Sequence, residues 1–190
     1  MTAPKKTKSN PSWSDVKAKL AGFDTAEFIH LVSNLYALDK SNQSFLHARF
    51  ALGDDPLDVY KKRIDKALYP NVMGRNCQVK ISDAKKAVSE YQKAVGSPTG
   101  LLELRLYFCE VGLGFASEYG YEDEGFFNAI CVQFKAAVKV LGTLDEDRQD
   151  EVLDWFYDVM GQSGSLGYGI DEDMIGALSD AGFSDERPSK

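Results

Sequence analysis

Cysteine and histidine are scarce in this 190-residue chain, which has three of the first (Cys77, Cys109, Cys131) and two of the second (His30, His47). No CxxC pair or zinc-ligand spacing can be built from them, and an odd cysteine count inside apolar runs suits reduced core thiols better than a disulfide framework. Cys77 is the one cysteine in an irregular segment, and nothing in the spacing brings it to a histidine, so no Cys–His nucleophile is expected. Long apolar runs are absent too. The longest candidate, 101–115, is broken by Glu103, Arg105 and Glu110, short of the roughly 18 apolar residues a membrane span needs. The polar, basic start MTAPKKTKSNPS is not followed by an apolar stretch, so a secretory signal is not expected and the chain is placed in the cytoplasm. Alternation of period two is missing as well, which excludes a sheet-based fold.

What the chain does have is 44% hydrophobic and 12% aromatic residues, enough to build a core. Charge is unevenly spread. Residues 1–109 carry 17 Lys and Arg against 11 Asp and Glu, a net of +6, whereas residues 110–190 carry 5 against 18, a net of −13. A basic amino-terminal half can attract anions, and an acidic second half opposes general nucleic-acid binding.

Apolar residues recur at helical spacing along almost the whole length. Ser14 is expected to cap a first short helix ending before Gly22. Asp24 caps a second, whose Phe28, Leu31, Val32, Leu35, Tyr36 and Leu38 predict one buried face. Ser41 or Asn42 opens a third, with Phe45, Leu46, Arg49, Phe50 and Leu52. Pro56 fits the first turn of a helix burying Leu57, Tyr60, Ile64, Ala67 and Leu68. Ser82 caps the next, with Ala84, Ala87, Val88, Tyr91 and Val95 inward. The segment 98–119 is apolar nearly all round and predicts the buried centre of the fold; its Gly112 and Gly114 either admit a close neighbour or kink it. A helix over 122–141, with Phe126, Phe127, Ile130, Cys131, Phe134, Ala137, Val138 and Leu141 on its face, and helices from Asp145 and from Asp171 complete the chain. The fold class is all-α, eight or nine short helices in stacked antiparallel hairpins, an arrangement compatible with a helical-repeat-like superhelix. One helical domain is expected over 12–183, between polar tails at 1–11 and 184–190.

Four stretches carry a resemblance: Tyr60–Ile64 (YKKRI), Ser82–Ala87 (SDAKKA), Glu118–Tyr121 (EYGY) and Leu166–Ile170 (LGYGI). Together they resemble an uncharacterised bacterial family of all-helical proteins, over about 12–183. The resemblance implies a helical protein without an assigned activity and brings no catalytic residues.

The strongest functional candidate is the basic cluster Lys61, Lys62, Arg63, Lys66, Arg75, Lys80, Lys85, Lys86 and Lys93, which either forms one patch for an anion or acidic partner or is a set of solvated faces. The glycine-rich run 161–169 matches no phosphate-binding motif, and Asp171, Glu172 and Asp173 after it oppose phosphate; Tyr168 is its candidate contact residue. The acidic clusters at 122–124, 145–151 and 171–173 fall at helix starts and lack the calcium-loop glycine, so neither metal nor cofactor is expected. The resulting expectation is a non-enzymatic protein-binding helical module, with Arg49, Lys61, Lys62, Arg75, Lys85, Lys86 and Tyr168 as its binding residues. Its partner is expected to be a protein, and no membrane is involved. The alternative is anion or nucleic-acid binding through the basic half.

Overall fold

The computed structural model describes residues 10–53, 55–74, 77–184 and 186–187. Among these it is all-helical, with nine helices and no strand. Most of the two tail segments, and Arg75, lie outside the described residues. Contacts group the chain into two units, residues 1–46 and 47–190.

The first unit holds α1 (Trp13–Leu20), α2 (Thr25–Leu38) and most of α3 (Lys40–Arg49). Asp24 caps α2 as its sequence requires: its carboxylate accepts from the Glu27 amide at 2.8 Å while the Glu27 carboxylate accepts from the Asp24 amide at 2.9 Å. The first helix starts earlier than the expected Ser14 cap, because the Asp15 carboxylate accepts from the Ser12 amide at 2.7 Å and fixes the turn there. The break after Leu38 is Asp39, in extended backbone, whose carboxylate accepts from the Ser41 amide at 2.6 Å. Side chains of α3 then serve the carbonyls that α2 leaves open at its end. Asn42 donates to the Leu35 carbonyl at 2.7 Å and Gln43 to the Tyr36 carbonyl at 3.0 Å.

The apolar residues of this unit do not behave as their spacing predicts. Neither α1 nor α2 has a buried residue. Phe28, Val32, Leu35, Tyr36 and Leu38 are exposed, as are Phe45, Phe50 and Leu52 of the expected third face. Helical periodicity reports that a face is apolar; it does not say that the chain itself supplies the cover.

The second unit holds α4 (Asp58–Leu68), α5 (Ile81–Ala94), α6 (Pro98–Tyr119), α7 (Glu124–Leu141), α8 (Glu146–Gly161) and α9 (Ile170–Asp180). Helix α6 packs against α4, α5, α7 and α8, and α9 packs on α7 and α8. Its all-round apolarity is thereby explained: Leu102, Leu104, Leu106, Phe108 and Leu113, which point in several directions, are all buried. The expected faces of α4 and α7 are buried residue for residue, from Leu57 to Leu68 and from Phe126 to Leu141. Helix α7 folds back antiparallel on α6: Gly112 faces Phe126 and Ile130, while Arg105 meets Gln133. Helices α4 and α5 do the same, with the Lys80 amide donating to the Ala67 carbonyl, Arg63 meeting Glu90 and Tyr60 packing edge-on to Tyr91.

Gly112 is the close-approach glycine of α6. A Cβ there would come within 2.8 Å of the Ile130 Cδ1, whereas one on Gly114 would meet nothing. Helix α6 ends at Gly120, whose φ of 62° is left-handed.

Candidate functional site

Three regions present chemistry to a partner. The first is the amino-terminal helical pair. On α2, Phe28, Ile29, Leu31, Val32, Leu35, Tyr36 and Leu38 spread over about half the circumference at roughly 100° per residue, wider than the stripe a single packed neighbour covers. Between Asp24 and Asp39 the helix has Glu27 as its one carboxylate and no lysine or arginine. An apolar groove of about 450 Å³, lined by Phe23, Ala26, Glu27, His30, Leu31 and Asn34, runs along it, with Phe23 edge-on to Phe28 at 5.6 Å. This surface was not among the expected site residues. The signal that marks it is the width of the apolar arc, which one buried face does not need.

The second region is the basic face of α4 and α5. Lys61 lies half-buried between Glu103, to which it donates, and Asp55 at 3.6 Å. Burial alone would lower its ammonium pKa, but Glu103 and then Asp55 overcome that and hold it above the ordinary lysine value. Lys62 pairs with Asp58 at 2.7 Å, Arg63 with Glu90 at 2.5 Å, and Lys86 reaches the same Glu90 at 3.8 Å. Lys85, on α5, is exposed, and so is Arg49 at the last position of α3. The structure therefore brings Lys61, Lys62, Arg63 and Lys86 onto neighbouring helices but gives each a carboxylate of this chain. An anion would have to displace those partners.

The third region is the carboxyl end of α6, where aromatic rings gather. Phe115 lies 5.4 Å from Tyr69 and from Tyr121; Tyr121 lies 5.1 Å from Phe126. Tyr168 rests on Phe127 with ring centroids 5.0 Å apart, although the residue as a whole is 57% exposed. Its backbone sits between two left-handed glycines and is itself left-handed, with φ of 74°, 57° and 68° at Gly167, Tyr168 and Gly169. A pocket of about 210 Å³ opens here, lined by Ala116, Ser117, Gly120, Tyr121, Glu122, Phe127, Ser165 and Leu166. Of the expected binding residues, Tyr168 is the one that stands beside it.

Among the described residues no three His, Cys, Asp or Glu side chains are placed to hold a metal ion together, and no helix is long and apolar enough to cross a membrane. Cys109 and Cys131 are buried free thiols, and burial pushes the Cys131 thiol up to about 11, leaving it protonated and unreactive near neutrality. No family model, no curated protein and no solved structure matches this chain.

Proposed function

We propose that the protein is a non-enzymatic, protein-binding helical module of the cytoplasm whose docking element is its amino-terminal helical pair. The observation that carries this reading is α2, a 14-residue helix with a complete capping box and a wide apolar arc but no buried side chain. Capping orders the helix locally, yet helices of this length are marginal in water without tertiary packing. A charge-poor apolar surface of this kind has the composition of an interface core, where charged residues are depleted and aromatic ones enriched. The partner it fits is a protein offering an apolar groove or a second amphipathic helix. The basic α4–α5 face supports the anion-binding alternative less well, because its cations already answer carboxylates of the same chain.

The test places a photo-crosslinking p-benzoylphenylalanine at Leu35 and, separately, at Lys85, and irradiates the cells that make the protein. A discrete heavier adduct from position 35, weak or missing from position 85 and abolished by Val32→Asp, is the expected result. Equal yields at both positions, or an adduct from 35 confined to the chain itself, would overturn the docking role. Val32 is 41% exposed, so its replacement leaves the fold of residues 47–190 intact, which circular dichroism verifies.

A further inference from the structure

We propose that the pocket at the carboxyl end of α6 is a binding site for an organic ammonium group, held by Glu122 and by the rings of Tyr121 and Phe127 that line it, with Tyr168 resting on Phe127. Four observations converge on this, and none depends on the amino-terminal pair.

The first is electrostatic. The pocket is lined from within 116–127 and 165–166, and the longer stretches 106–134 and 149–186 that contain them hold many carboxylates and not one lysine or arginine. Glu122 lies in the lining itself, with Glu118, Asp123 and Glu124 close in sequence. Nothing of the opposite sign in either segment competes for the site.

The second is the helix ends. Ala116, Ser117 and Gly120 belong to the last turn and cap of the 22-residue α6, and Ser165 and Leu166 follow the end of α8. Carbonyls at a helix carboxyl end carry the negative pole of the macrodipole and favour a cation, a place proteins ordinarily fill with Lys, Arg or His. Neither α6 nor α8 has a basic residue in its last turn. The positive pole of α7 next to them is already answered, since the Asp123 carboxylate accepts from the Phe126 amide at 2.7 Å.

The third is the aromatic lining. A cation close to a ring face is attracted by its quadrupole, and quaternary and alkylated ammonium ions are recognised by such rings. Burial, and then Asp123, push the Tyr121 phenol up, so its hydroxyl keeps its proton and the ring acts through its quadrupole. At about 210 Å³ the pocket is below the ~300 Å³ at which drug-sized sites begin, and it suits one ammonium head rather than a nucleotide or a sugar chain.

The fourth is Tyr168. A non-glycine residue in the left-handed region costs roughly 1–2 kcal/mol, and a turn alone would be served by glycine without that cost. The sequence keeps tyrosine between Gly167 and Gly169, and the ring it presents leans on Phe127 while staying largely in solvent. The residue thus offers a largely exposed ring against Phe127, which lines the pocket.

Two sources can supply the group: a free small amine, or the side chain of a lysine in another protein. Both are read by titrating the full-length ¹⁵N-labelled chain with choline, with its uncharged isostere 3,3-dimethylbutan-1-ol, and with acetyl-glycyl-trimethyllysyl-glycine amide. The expected result is movement of the Gly120, Tyr121, Glu122 and Leu166 amide resonances by the cations, with an affinity roughly tenfold or more above that of the isostere. Tighter binding of the peptide assigns the lysine source; tighter binding of choline assigns the free amine. Glu122→Gln is expected to weaken binding about fivefold, and Tyr168→Gly about threefold while leaving the chain folded, since glycine relieves the left-handed strain. Equal response to choline and its isostere, no movement of these amides with any of the three, or unchanged affinity in Glu122→Gln overturns the assignment.

Discussion

The phenol of Tyr69, one residue past the end of α4, donates to the carboxylate of Glu118 on the last turn of α6, 49 residues further along the chain. The same ring packs edge-on to Phe115 at 5.4 Å and to Tyr119 at 5.8 Å. One side chain thereby fastens the exit of α4 to the end of α6 that borders the ammonium pocket.

This bond has two pH limits. The hydrogen bond to Glu118 pushes the Tyr69 phenol up to about 12, and the bonds from Tyr69 and then Tyr119 hold the Glu118 carboxyl below its ordinary value. A raised tyrosine contributes stability that is complete below its unfolded value of 10 and is lost as pH rises toward 12. A depressed carboxylate contributes stability that is present above its unfolded value of 4.5 and is lost as pH falls through the lower folded one. Tyr69→Phe keeps the ring contacts and removes the bond. The melting temperature of the unaltered chain should therefore exceed that of the variant at neutral pH and converge with it at both extremes, and ultraviolet titration should show one fewer late-titrating phenol.

Two glycines two residues apart, on opposite sides of the same helix, should respond in opposite directions to alanine. Gly112→Ala drives a methyl against the buried Ile130 with Phe126 behind it, and should cost about 1–3 kcal/mol. Gly114→Ala meets open space and should stabilise α6 by up to ~1 kcal/mol. Urea unfolding of both variants against the parent measures the contrast, and similar losses in the two would show that α6 and α7 are not in the close register described.

Lys61 and Lys62 are neighbours in sequence and unlike in consequence. Lys61→Gln breaks a half-buried arrangement with Glu103 and Asp55 and should destabilise by roughly 0.5–1 kcal/mol, an effect that fades as pH rises through the raised lysine pKa. Lys62→Gln removes an exposed pair with Asp58 and should leave the melting curve unchanged.

Thiol chemistry should divide the cysteines by burial alone. Cys77 is exposed, whereas Cys109 and Cys131 are buried, so a disulfide reagent should titrate a single thiol in the native protein and all three in denaturant. Rapid native reaction at a second site would mean that the α6–α7 packing opens readily.

Much of the second unit was legible because local and global signals agree there. Asp145 caps the helix its position predicts, α6 covers the expected 98–119, and the apolar faces of α4 and α7 are the buried ones. Two readings were out of reach for a physical reason. The exposure of Phe28 to Leu38 depends on what lies across from α2, and a sequence pattern records only that a face is apolar. The basic cluster was read without its partners because Glu103 stands 42 residues from Lys61 and Glu90 stands 27 from Arg63, so their pairing follows from helix packing and not from spacing. Tyr168 could be singled out in sequence between its glycines, but the pocket beside it needed the ends of α6 and α8 to meet.

Because α4, α5, α7 and α8 all lean on one helix, this body has a sequence of unlocking built into it. Helix α9 holds chiefly to α7 and α8 and can lift away while the main contacts of α6 survive, whereas an opening that frees α6 removes the helix that α4, α5, α7 and α8 share. Amide protons of α9 should therefore exchange with solvent through local opening, and those near Phe108 only when the whole body comes apart. The ammonium pocket straddles that divide, since it draws Ala116 and Tyr121 from the last region to let go and Ser165 and Leu166 from the stretch leading into the first. A ligand there would act as a latch, holding the most loosely tethered part of the body to its most persistent one.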